Sequence, residues 1–430
     1  MFPDLQYLIE YLFGINIPAL SVAKTFGLFV AIAFLTAAWL ISKELKRYKE
    51  EGKFEGIVET QTINKPITTN AFVINGVLGF LLGFKIIGLL NGGPEASNDP
   101  MAYIISGQGN VIGGLVFAAV FLFLKWTDKK KLAGKKEEKV QVRMYPHNYV
   151  ADIIIIAAAA GFAGAKIFNA FESWDYFIQN PIESLISGSG LTYYGGLITA
   201  TIALYIFAKK KNFSFVRLCD ALAPALILAY GIGRLGCQFS GDGDWGIYNS
   251  AYITQADGTL REVPKGEFTV FVQNNPALFK GDEDQHNKVP HHYFEAPSWL
   301  PTWVVAQNFP HNVNRTGVRI QGDTGSYPTV LPAAVYPTSL WEFFACLLIF
   351  GVLMAIRKKQ KFPLQLFGIY LIFNGLERFT VEKIRVNYKY DWGFMHPTQA
   401  EIISFALILI GVYLWVFNPY KKKAIETKTK

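Results

Sequence analysis

Long apolar segments separated by short polar ones dominate the chain, and this pattern predicts membrane-spanning helices. A helix needs about 20 mostly apolar residues to cross a bilayer. Segments of this kind lie near residues 18–42, 70–92, 101–125, 149–171, 189–208, 215–238, 337–356, 363–384 and 396–416. The expected fold class is therefore an α-helical polytopic membrane protein with about nine transmembrane helices.

Short basic clusters follow every second predicted span and indicate how the chain is oriented. In chain order they read KELKRYK, KWTDKKKLAGKK, KKK, RKKQK and KKK. Because an excess of Lys and Arg marks the cytoplasmic side, we expect the N-terminus outside and the C-terminus in the cytoplasm. Residues 419–430 are then expected to form a basic cytoplasmic tail.

Residues 243–335 interrupt the apolar pattern with a long segment rich in Pro, Asn, Asp and aromatic residues. Alternation in TVFVQ (269–273) and WLPTWVV (299–305) predicts strands. The parity of the spans puts this segment outside the membrane. We therefore expect a small external domain of mixed or β character between membrane domains at 1–242 and 336–418.

Two predicted hairpins have similar sequences. GFLLGFKI (79–86) resembles GFAGAKI (161–167), and ISGQGNVIGGL (105–115) resembles ISGSGLTYYGGL (186–197). One explanation is that an extra hairpin at 66–125 is a duplicate of 149–208. The other is that Gly-rich helix contacts look alike, because small residues let membrane helices pack closely. If the hairpin is a duplicate, Ile112 stands near the place where the second copy has Tyr194.

Composition agrees with a membrane protein and argues against other classes. The 430 residues are 51% hydrophobic and 17% charged, with a net charge of +8, whereas soluble proteins carry about 25% charged residues. The basic residues cluster between apolar segments, so we expect topology signals and no nucleic-acid partner. The three cysteines, Cys219, Cys237 and Cys346, lie in or beside apolar segments, which argues against a disulfide framework or a cysteine zinc site.

Several basic residues lie near the outer ends of predicted spans, namely Lys24, Lys85, Lys166, Arg234, Arg378 and Arg385. A charge inside a span is costly and suggests a function, although a long side chain near a helix end can also reach the interface cheaply. Six cations at one depth favour a shared anionic ligand, and a phospholipid head group is the obvious anion there.

The eighth predicted span carries Arg378, Glu382 and Arg385 on one helical face, at spacings of i, i+4 and i+7. We expect Glu382 to hold both guanidinium groups. Arginine suits phosphate because its planar fork donates two parallel hydrogen bonds. The alternative is an ion network that satisfies itself and ties helices together.

The motif GIGRLG (231–236) matches the G-x-G-x-x-G pattern of dinucleotide sites, but it ends a predicted membrane helix and no strand precedes it. Its glycines are better explained by close packing or by backbone approach to a ligand. Asp242 and Asp244 in SGDGDWG are weak evidence for a cation site. We expect no metal, no cofactor and no Ser/His/Asp catalytic site.

The stretch GRLGCQFSGDGDWG (233–246) resembles the central signature of the prolipoprotein diacylglyceryl transferases, approximately G-R-x-G-N-F-x-N-x-E-x-x-G. The matching residues are Gly233, Arg234, Gly236, Phe239, Trp245 and Gly246. The resemblance extends to KTFGL (24–28), LTYYGGLI (191–198), YPTSLWE (336–342) and LERFTVEKIRV (376–386).

The resemblance implies an enzyme of the bacterial inner membrane that acts near the outer leaflet. It would transfer the diacylglyceryl group of phosphatidylglycerol to the lipobox cysteine thiol of a preprolipoprotein. A thioether forms and glycerol phosphate leaves, which is the first step of lipoprotein maturation. The nucleophile belongs to the substrate, so no catalytic Cys or Ser is needed.

The resemblance also implies site residues. It implies catalytic roles for Arg234, Arg378, Tyr194 and Glu382. The residues that it implies for binding the phosphatidylglycerol head group are Arg234, Arg378, Arg385, Lys166, Gly236, Asp242, Asp244 and Gly246. An extra residue near Gln238 leaves open whether Asp242 or Asp244 replaces the signature glutamate.

The chain departs from the family pattern at four positions. It has Tyr194 and Tyr336 where histidines are expected, Cys237 for an asparagine, and Phe26 for a tyrosine. A phenol with a pKa near 10 is a poor base at neutral pH, so the sequence does not identify the general base.

Two other functions are alternatives to the enzyme. One is a transporter or flippase for an anionic lipid or solute, and the other is a membrane scaffold that presents the external domain.

Overall fold

The computed structural model of the chain describes residues 1–92, 100–186, 190–418 and 420–421. Within these ranges, the long helices are Thr25–Glu50, Thr69–Asn91, Val111–Leu132, Val150–Glu172, Tyr193–Lys210, Phe215–Ser240, Thr338–Ile356, Gln365–Glu382 and Gln399–Val416. Short helices are Leu5–Phe13, Pro100–Ile105, Trp174–Gln179, Pro181–Ile186 and Glu267–Asn274. The predicted tail at 419–430 lies almost entirely outside the described residues.

Seven helical segments in the described ranges are long and apolar enough to cross a membrane, which confirms a polytopic, mainly helical membrane protein. Tyr193–Lys210 and Gln365–Glu382 are not among the seven. The first of these includes Lys209 and Lys210. The second has a charged C-terminal end, so its mean hydropathy falls. The count of about nine spans and their orientation stay predictions.

Two predicted boundaries differ from the structure. The first long helix begins at Thr25 rather than near residue 18, because Pro18–Val22 forms a separate 3-10 turn. The segment predicted as one span at 101–125 is a short helix, Pro100–Ile105, followed by the long helix Val111–Leu132. The SGQGN sequence between them has two glycines and an Asn110 side chain that caps the long helix by accepting the N–H of Gly113 at 2.8 Å.

The chain divides into two compact units. The first unit comprises Met1–Leu8, Lys24–Glu44 and Val216–Lys430, and the second comprises Ile9–Ala23 and Leu45–Phe215. In the second unit, strands β1 (Ile57–Ile63) and β2 (Glu138–Met144) pair antiparallel, and Thr60 faces Gln141 at the centre of the ladder.

Each strand of the second unit precedes one helical hairpin, and the two hairpins repeat the same contacts. Lys85 Nζ donates to the Tyr103 carbonyl at 3.1 Å, and Lys166 Nζ donates to the Ser184 carbonyl at 3.2 Å, both across 18 residues. In each hairpin a glycine pair brings the two helix backbones together, Gly83 with Gly113 and Gly164 with Gly195. Adding a Cβ at any of these positions would drive it into backbone or side-chain atoms.

Residues 243–335, which the sequence predicts to lie outside the membrane, belong to the first unit and contain a small sheet. Strand β3 (Tyr248–Thr254) pairs with β4 (Leu260–Glu262), β5 (His291–His292) and β8 (Ala333–Val335), and β6 (Val318–Arg319) pairs with β7 (Thr329–Val330). Its apolar core gathers around Tyr248, Phe268, Phe279, Phe309 and Leu331. The mixed character expected from the sequence is present in this segment.

The two strands predicted in this segment are wrong. TVFVQ lies in the helix Glu267–Asn274, and WLPTWVV contains the 3-10 turn Thr302–Val304. The helix places Phe268, Phe271 and Val272 against the same core. Their spacing of three and four residues fits a helical face better than a strand, and the short window of alternation concealed it.

Candidate active site

Asp244 lies between two arginines of the first unit. It follows the helix Phe215–Ser240, and its carboxylate forms ion pairs with Arg234 and Arg385. The Thr338 and Ser339 hydroxyls donate to its backbone carbonyl at 2.9 and 2.8 Å, which fixes its position. Burial raises the pKa of Asp244, but the two guanidinium groups outweigh it and lower the pKa to about 2.

Glu342 is the centre of the site. It sits on the helix Thr338–Ile356 and is completely buried. Arg234 Nε lies 3.2 Å from its Oε2, and Arg378 Nη1 lies 3.3 Å from its Oε1. The Tyr230 hydroxyl also donates to Oε1 at 3.2 Å. One buried carboxylate therefore holds two guanidinium groups from two helices.

Glu382 holds one arginine rather than the expected two. It pairs with Arg378 Nη2 at 2.9 Å and accepts a hydrogen bond from Asn387 Nδ2 at 2.7 Å. Arg385 instead contacts Asp244. The helix ends at Glu382, so the i+7 position lies beyond the helical face that the sequence pattern assumed.

These pairs form one continuous series, in the order Arg385, Asp244, Arg234, Glu342, Arg378 and Glu382, which we call the arginine–carboxylate network. Three arginines face three carboxylates, so the series balances its own charge. The arginine side chains are still 12–22% exposed. Arg385 Nη1 is buried and has no hydrogen-bond partner among the described residues. The network thus keeps donors available while carboxylates fix their direction.

Glu342 and Glu377 are two buried carboxyl groups to which the sequence pattern assigned no role. Glu342 ends the YPTSLWE stretch, so an acidic residue at the start of an apolar helix was the available signal. Glu377 is 7% exposed, and neither of its oxygens has a hydrogen-bond partner among the described residues. Its signal was the same, a carboxylate in an apolar helix beside Arg378.

Two predicted glycines pack against protein atoms. Gly236 faces Phe26 and Phe29 of the helix Thr25–Glu50, and a Cβ added there would lie 3.0 Å from Phe29 Cβ. Gly246 donates its N–H to the Tyr336 carbonyl at 2.8 Å, two residues after Asp244. Phe26, which stands where the family has a tyrosine, therefore contributes to packing around the signature.

Asp242 and Cys237 lie beside Asp244, and the possible ligand atoms of the three are within 4.8 Å of one another. Burial raises the pKa of Asp242. Asp244 already faces two guanidinium groups, so a divalent cation at these three residues would meet two fixed positive charges. The arrangement thus favours an anion near the arginines over a metal ion beside them.

The predicted lysines are all engaged by protein groups. Lys24 contacts the Tyr327 hydroxyl at 2.9 Å and Asp4 at 3.5 Å. Lys85 donates to the carbonyls of Tyr103, Ser106 and Gln108. Lys166 is buried and donates to the Ser184 carbonyl. The six predicted cations therefore differ in their contacts. The three lysines bind other protein groups, whereas the three arginines belong to the arginine–carboxylate network.

The two tyrosines that stand where the family has histidines have different surroundings. Tyr336 donates its hydroxyl to the His292 carbonyl at 3.1 Å, and burial raises its pKa to about 12. Tyr194 belongs to the second unit, at the start of the helix Tyr193–Lys210, with its ring 5.5 Å from that of Tyr193. Lys166 and Tyr194 both belong to the second unit.

Comparison with known proteins links this site to a family. The sequence model described as prolipoprotein diacylglyceryl transferase matches residues 111–417. The phosphatidylglycerol–prolipoprotein diacylglyceryl transferase of Finegoldia magna is 28% identical over 285 residues, which are 66% of this chain and 83% of that protein. The enzyme of the same name from Shouchella clausii is 25% identical over 277 residues, 64% of this chain and 77% of that protein.

A third similar protein, from Dehalococcoides mccartyi strain 195, carries the same name and is 24% identical over 66% of this chain and 82% of its own length. The matched range includes all six residues of the arginine–carboxylate network. Since the family's sequence model covers well over half of the chain, the protein belongs to the prolipoprotein diacylglyceryl transferase family.

Proposed function

We propose that the protein transfers the diacylglyceryl group of phosphatidylglycerol to the lipobox cysteine thiol of preprolipoproteins. The observation that carries this proposal is the arginine–carboxylate network at the family signature. It holds three guanidinium groups in fixed directions, and two of them, on Arg234 and Arg378, share the buried Glu342. Membership of a transferase family supports the same reaction.

The arginines would bind the phosphate of the lipid head group. Each guanidinium has five N–H donors, and the carboxylates occupy only some of them. Arg234 and Arg378 keep 16% and 22% of their side chains exposed. Donors that are already oriented stabilise charge as it develops, without reorganising at the moment of reaction. We assign these two residues to phosphate binding and to stabilising the departing glycerol phosphate.

The reaction joins the substrate sulfur to the glyceryl carbon. The carbon–sulfur bond forms as the bond between that carbon and the phosphate oxygen breaks, and glycerol phosphate leaves. The thiolate is the nucleophilic form of cysteine, so the thiol proton must move. Glu382 is assigned to holding Arg378, and Asp244 to holding Arg234 and Arg385, rather than to direct chemistry.

The remaining assignments are head-group contacts and position in the cell. We assign Arg385, Lys166, Asp242, Gly236 and Gly246 to the surroundings of the head group, and Tyr194 to a hydrogen bond with the lipid. The basic clusters support an enzyme of the bacterial inner membrane with its site near the outer leaflet, and with residues 243–335 outside.

The hairpin at 66–125 is proposed to be a duplicate of 149–208. The repeated lysine–carbonyl contacts across 18 residues and the repeated glycine pairs support duplication over chance similarity. Ile112, near the position that corresponds to Tyr194, is 74% exposed and apolar. The first copy would therefore serve the membrane domain structurally rather than carry the polar contact.

A direct assay tests the proposed function. The full chain, purified in detergent, is given phosphatidylglycerol and a lipobox peptide, and the peptide mass is followed. A mass gain equal to one diacylglyceryl group is the expected result. A matched peptide with serine in place of the lipobox cysteine should gain no mass. Lipid movement between leaflets of a vesicle without any change in peptide mass would instead favour a transporter.

A further inference from the structure

Asp220 is a buried residue that lies outside the arginine–carboxylate network and that no step of the proposed reaction uses. It belongs to the helix Phe215–Ser240 and is 1% exposed. Its Oδ2 accepts the backbone N–H of Leu364 at 2.6 Å, and its Oδ1 accepts the backbone N–H of Phe367 at 2.8 Å. Both oxygens of this carboxyl group are therefore bonded to the start of another helix.

These two hydrogen bonds replace a cap that the helix Gln365–Glu382 does not supply itself. Leu364 is the N-cap residue of this helix, and Phe367 is its third residue. In a capping box, two side chains of the same helix accept the backbone N–H groups at these two positions. A leucine side chain has no acceptor, so one carboxyl group from a different helix accepts both. Asp220 thus caps one helix and joins it to its own.

The backbone of Leu364 adopts a conformation that is rare for leucine. Its φ is +64°, in the left-handed region, which is unfavourable for a bulky residue. Such a conformation persists only where the surrounding structure holds it. The carboxyl group of Asp220 accepts the N–H of this same residue. The attachment therefore determines the position at which the helix begins.

The two helices are joined a second time at the arginine–carboxylate network. Arg234 follows Asp220 on the same helix by about four turns, a rise of about 21 Å. Arg378 follows Leu364 by the same number of residues. Glu342 contacts both arginines, at 3.2 and 3.3 Å. The two points of attachment are therefore equally spaced along both helices.

An apolar cluster lies between the two points of attachment. Its buried members include Ala223 and Ile227 on the helix of Asp220, and Leu366 on the capped helix. The hydrophobic effect has no preferred direction, so this cluster opposes separation of the helices more than sliding along each other. The directional bonds made by Asp220 at one end and by Glu342 at the other oppose sliding.

We propose that Asp220 is a positioning residue that fixes the register between the helix that carries Arg234 and the helix that carries Arg378. The register sets the separation of the two guanidinium groups, which must contact one lipid phosphate together. This consequence for catalysis rests on the proposed function, whereas the register itself does not. Without Asp220, the helix of Arg378 is free to shift along its axis.

The register is tested directly as a distance between the two helices. Nitroxide labels are attached at Leu226→Cys and Leu376→Cys, because these positions lie one on each helix and are 38% and 46% exposed. The three native cysteines are buried. Asp220→Asn keeps the size of the side chain, but its amide nitrogen cannot accept the second N–H. In the full chain in detergent, this variant should displace or broaden the distance by about 1.5 Å, the rise of one residue.

The rate of diacylglyceryl transfer tests the consequence for catalysis. Asp220→Asn should lower kcat by about 10- to 100-fold at a temperature where the variant stays folded, because a displacement of about 1 Å can cost about 100-fold. Thr398→Ala is the matched control. Thr398 and Glu401 form a capping box on the helix Gln399–Val416, which carries no residue of the network. This control should lower the melting temperature, as loss of a cap does, and leave kcat within about twofold.

The outcomes separate the positioning role from the proposed function. If the unmodified protein transfers no diacylglyceryl group, the proposed function fails, and the label distance still tests the register. An unchanged label distance in folded Asp220→Asn overturns the positioning role. The same conclusion follows if kcat falls equally in Asp220→Asn and Thr398→Ala, or in neither. If Asp220→Asn does not fold, Asp220→Glu gives both measurements, because its longer side chain moves the acceptor and should displace the register.

Discussion

Arg234 Nε lies 3.2 Å from Glu342 Oε2, and this contact joins the signature helix to the helix that begins at Thr338. The same arginine reaches Asp244 with Nη1, so one guanidinium connects a buried carboxylate to a partly exposed one. A lysine has one compact ammonium group and cannot bridge two carboxylates with the same geometry. Arg234 is therefore placed to position the site as well as to bind an anion.

Arg234→Ala and Arg378→Ala should each abolish transfer. Removing one oriented donor commonly costs a factor of about 100 to 1,000 in rate, and here each change also leaves Glu342 with one fewer cation. Diacylglyceryl transfer to a lipobox peptide measures the effect. Arg261→Ala is the control, because Arg261 pairs with Glu267 at the surface, 49% exposed. Turnover within about threefold of the unmodified protein in either network variant would contradict the phosphate-site assignment.

Protonation of Asp244 should lower the stability of the protein in acid. Its pKa in the folded protein is about 2, below the value of about 3.9 for an unperturbed aspartate. A carboxyl group with a lowered pKa stabilises the fold above its unfolded pKa, and this contribution disappears as the pH falls from about 5 toward 2. The contribution at neutral pH is up to ~2 kcal/mol.

The measurement for Asp244 is the melting temperature as a function of pH, for the unmodified protein and for Asp244→Asn. The variant should be less stable near pH 7 and should lose less stability between pH 5 and pH 2. Asp257→Asn serves as the control, because Asp257 lies in an exposed turn within residues 243–335. Parallel curves for Asp244→Asn and the unmodified protein would show that Asp244 does not carry this stability.

Tyr194→Phe should retain partial activity. If the phenol only positions the lipid, its removal costs about one hydrogen bond, ~1 kcal/mol or about fivefold in rate. If Tyr194 were the general base, the loss would be about 100-fold or more. Initial rates at several phosphatidylglycerol concentrations distinguish the two. A rise in KM with little change in kcat is expected, whereas a large fall in kcat alone would assign Tyr194 to proton transfer.

The sequence predicted a polytopic, mainly helical membrane protein correctly, because long apolar segments are a strong local signal. It also singled out Arg234, Arg378, Glu382 and Arg385 and left Asp242 and Asp244 as alternatives; the structure brings the first four together with Asp244 in one series. It could not predict that Arg385 contacts Asp244, because that pair spans 141 residues of sequence. The error at residues 269–273 has a different cause, since five alternating residues fit a strand and one face of a helix equally well.

The lysines show a second limit of sequence reasoning. Position along a span indicates the depth of a charge but not what it contacts. Lys85 and Lys166 donate to backbone carbonyls of their own hairpins, and Lys24 contacts Tyr327 and Asp4. A cation near the end of a helix can therefore satisfy local backbone acceptors, which no spacing rule reveals.

Lys85→Met should destabilise the protein without changing its reaction. Lys85 Nζ donates to the carbonyls of Tyr103, Ser106 and Gln108, and all three would lose a charged donor. Each hydrogen bond to a charged group contributes roughly 1.5–3 kcal/mol, so a fall of several degrees in melting temperature is expected. Lys139→Met is the control, because Lys139 lies on the exposed strand β2.

The KM for phosphatidylglycerol distinguishes a structural role of Lys85 from a role in lipid binding. Because the proposed head-group residues do not include Lys85, the KM for phosphatidylglycerol of the folded Lys85→Met variant should stay within about twofold of the unmodified protein. An increase of tenfold or more at a temperature where the variant remains folded would mean that Lys85 takes part in lipid binding. An unchanged melting temperature would show instead that water replaces its contacts with the three carbonyls at little cost.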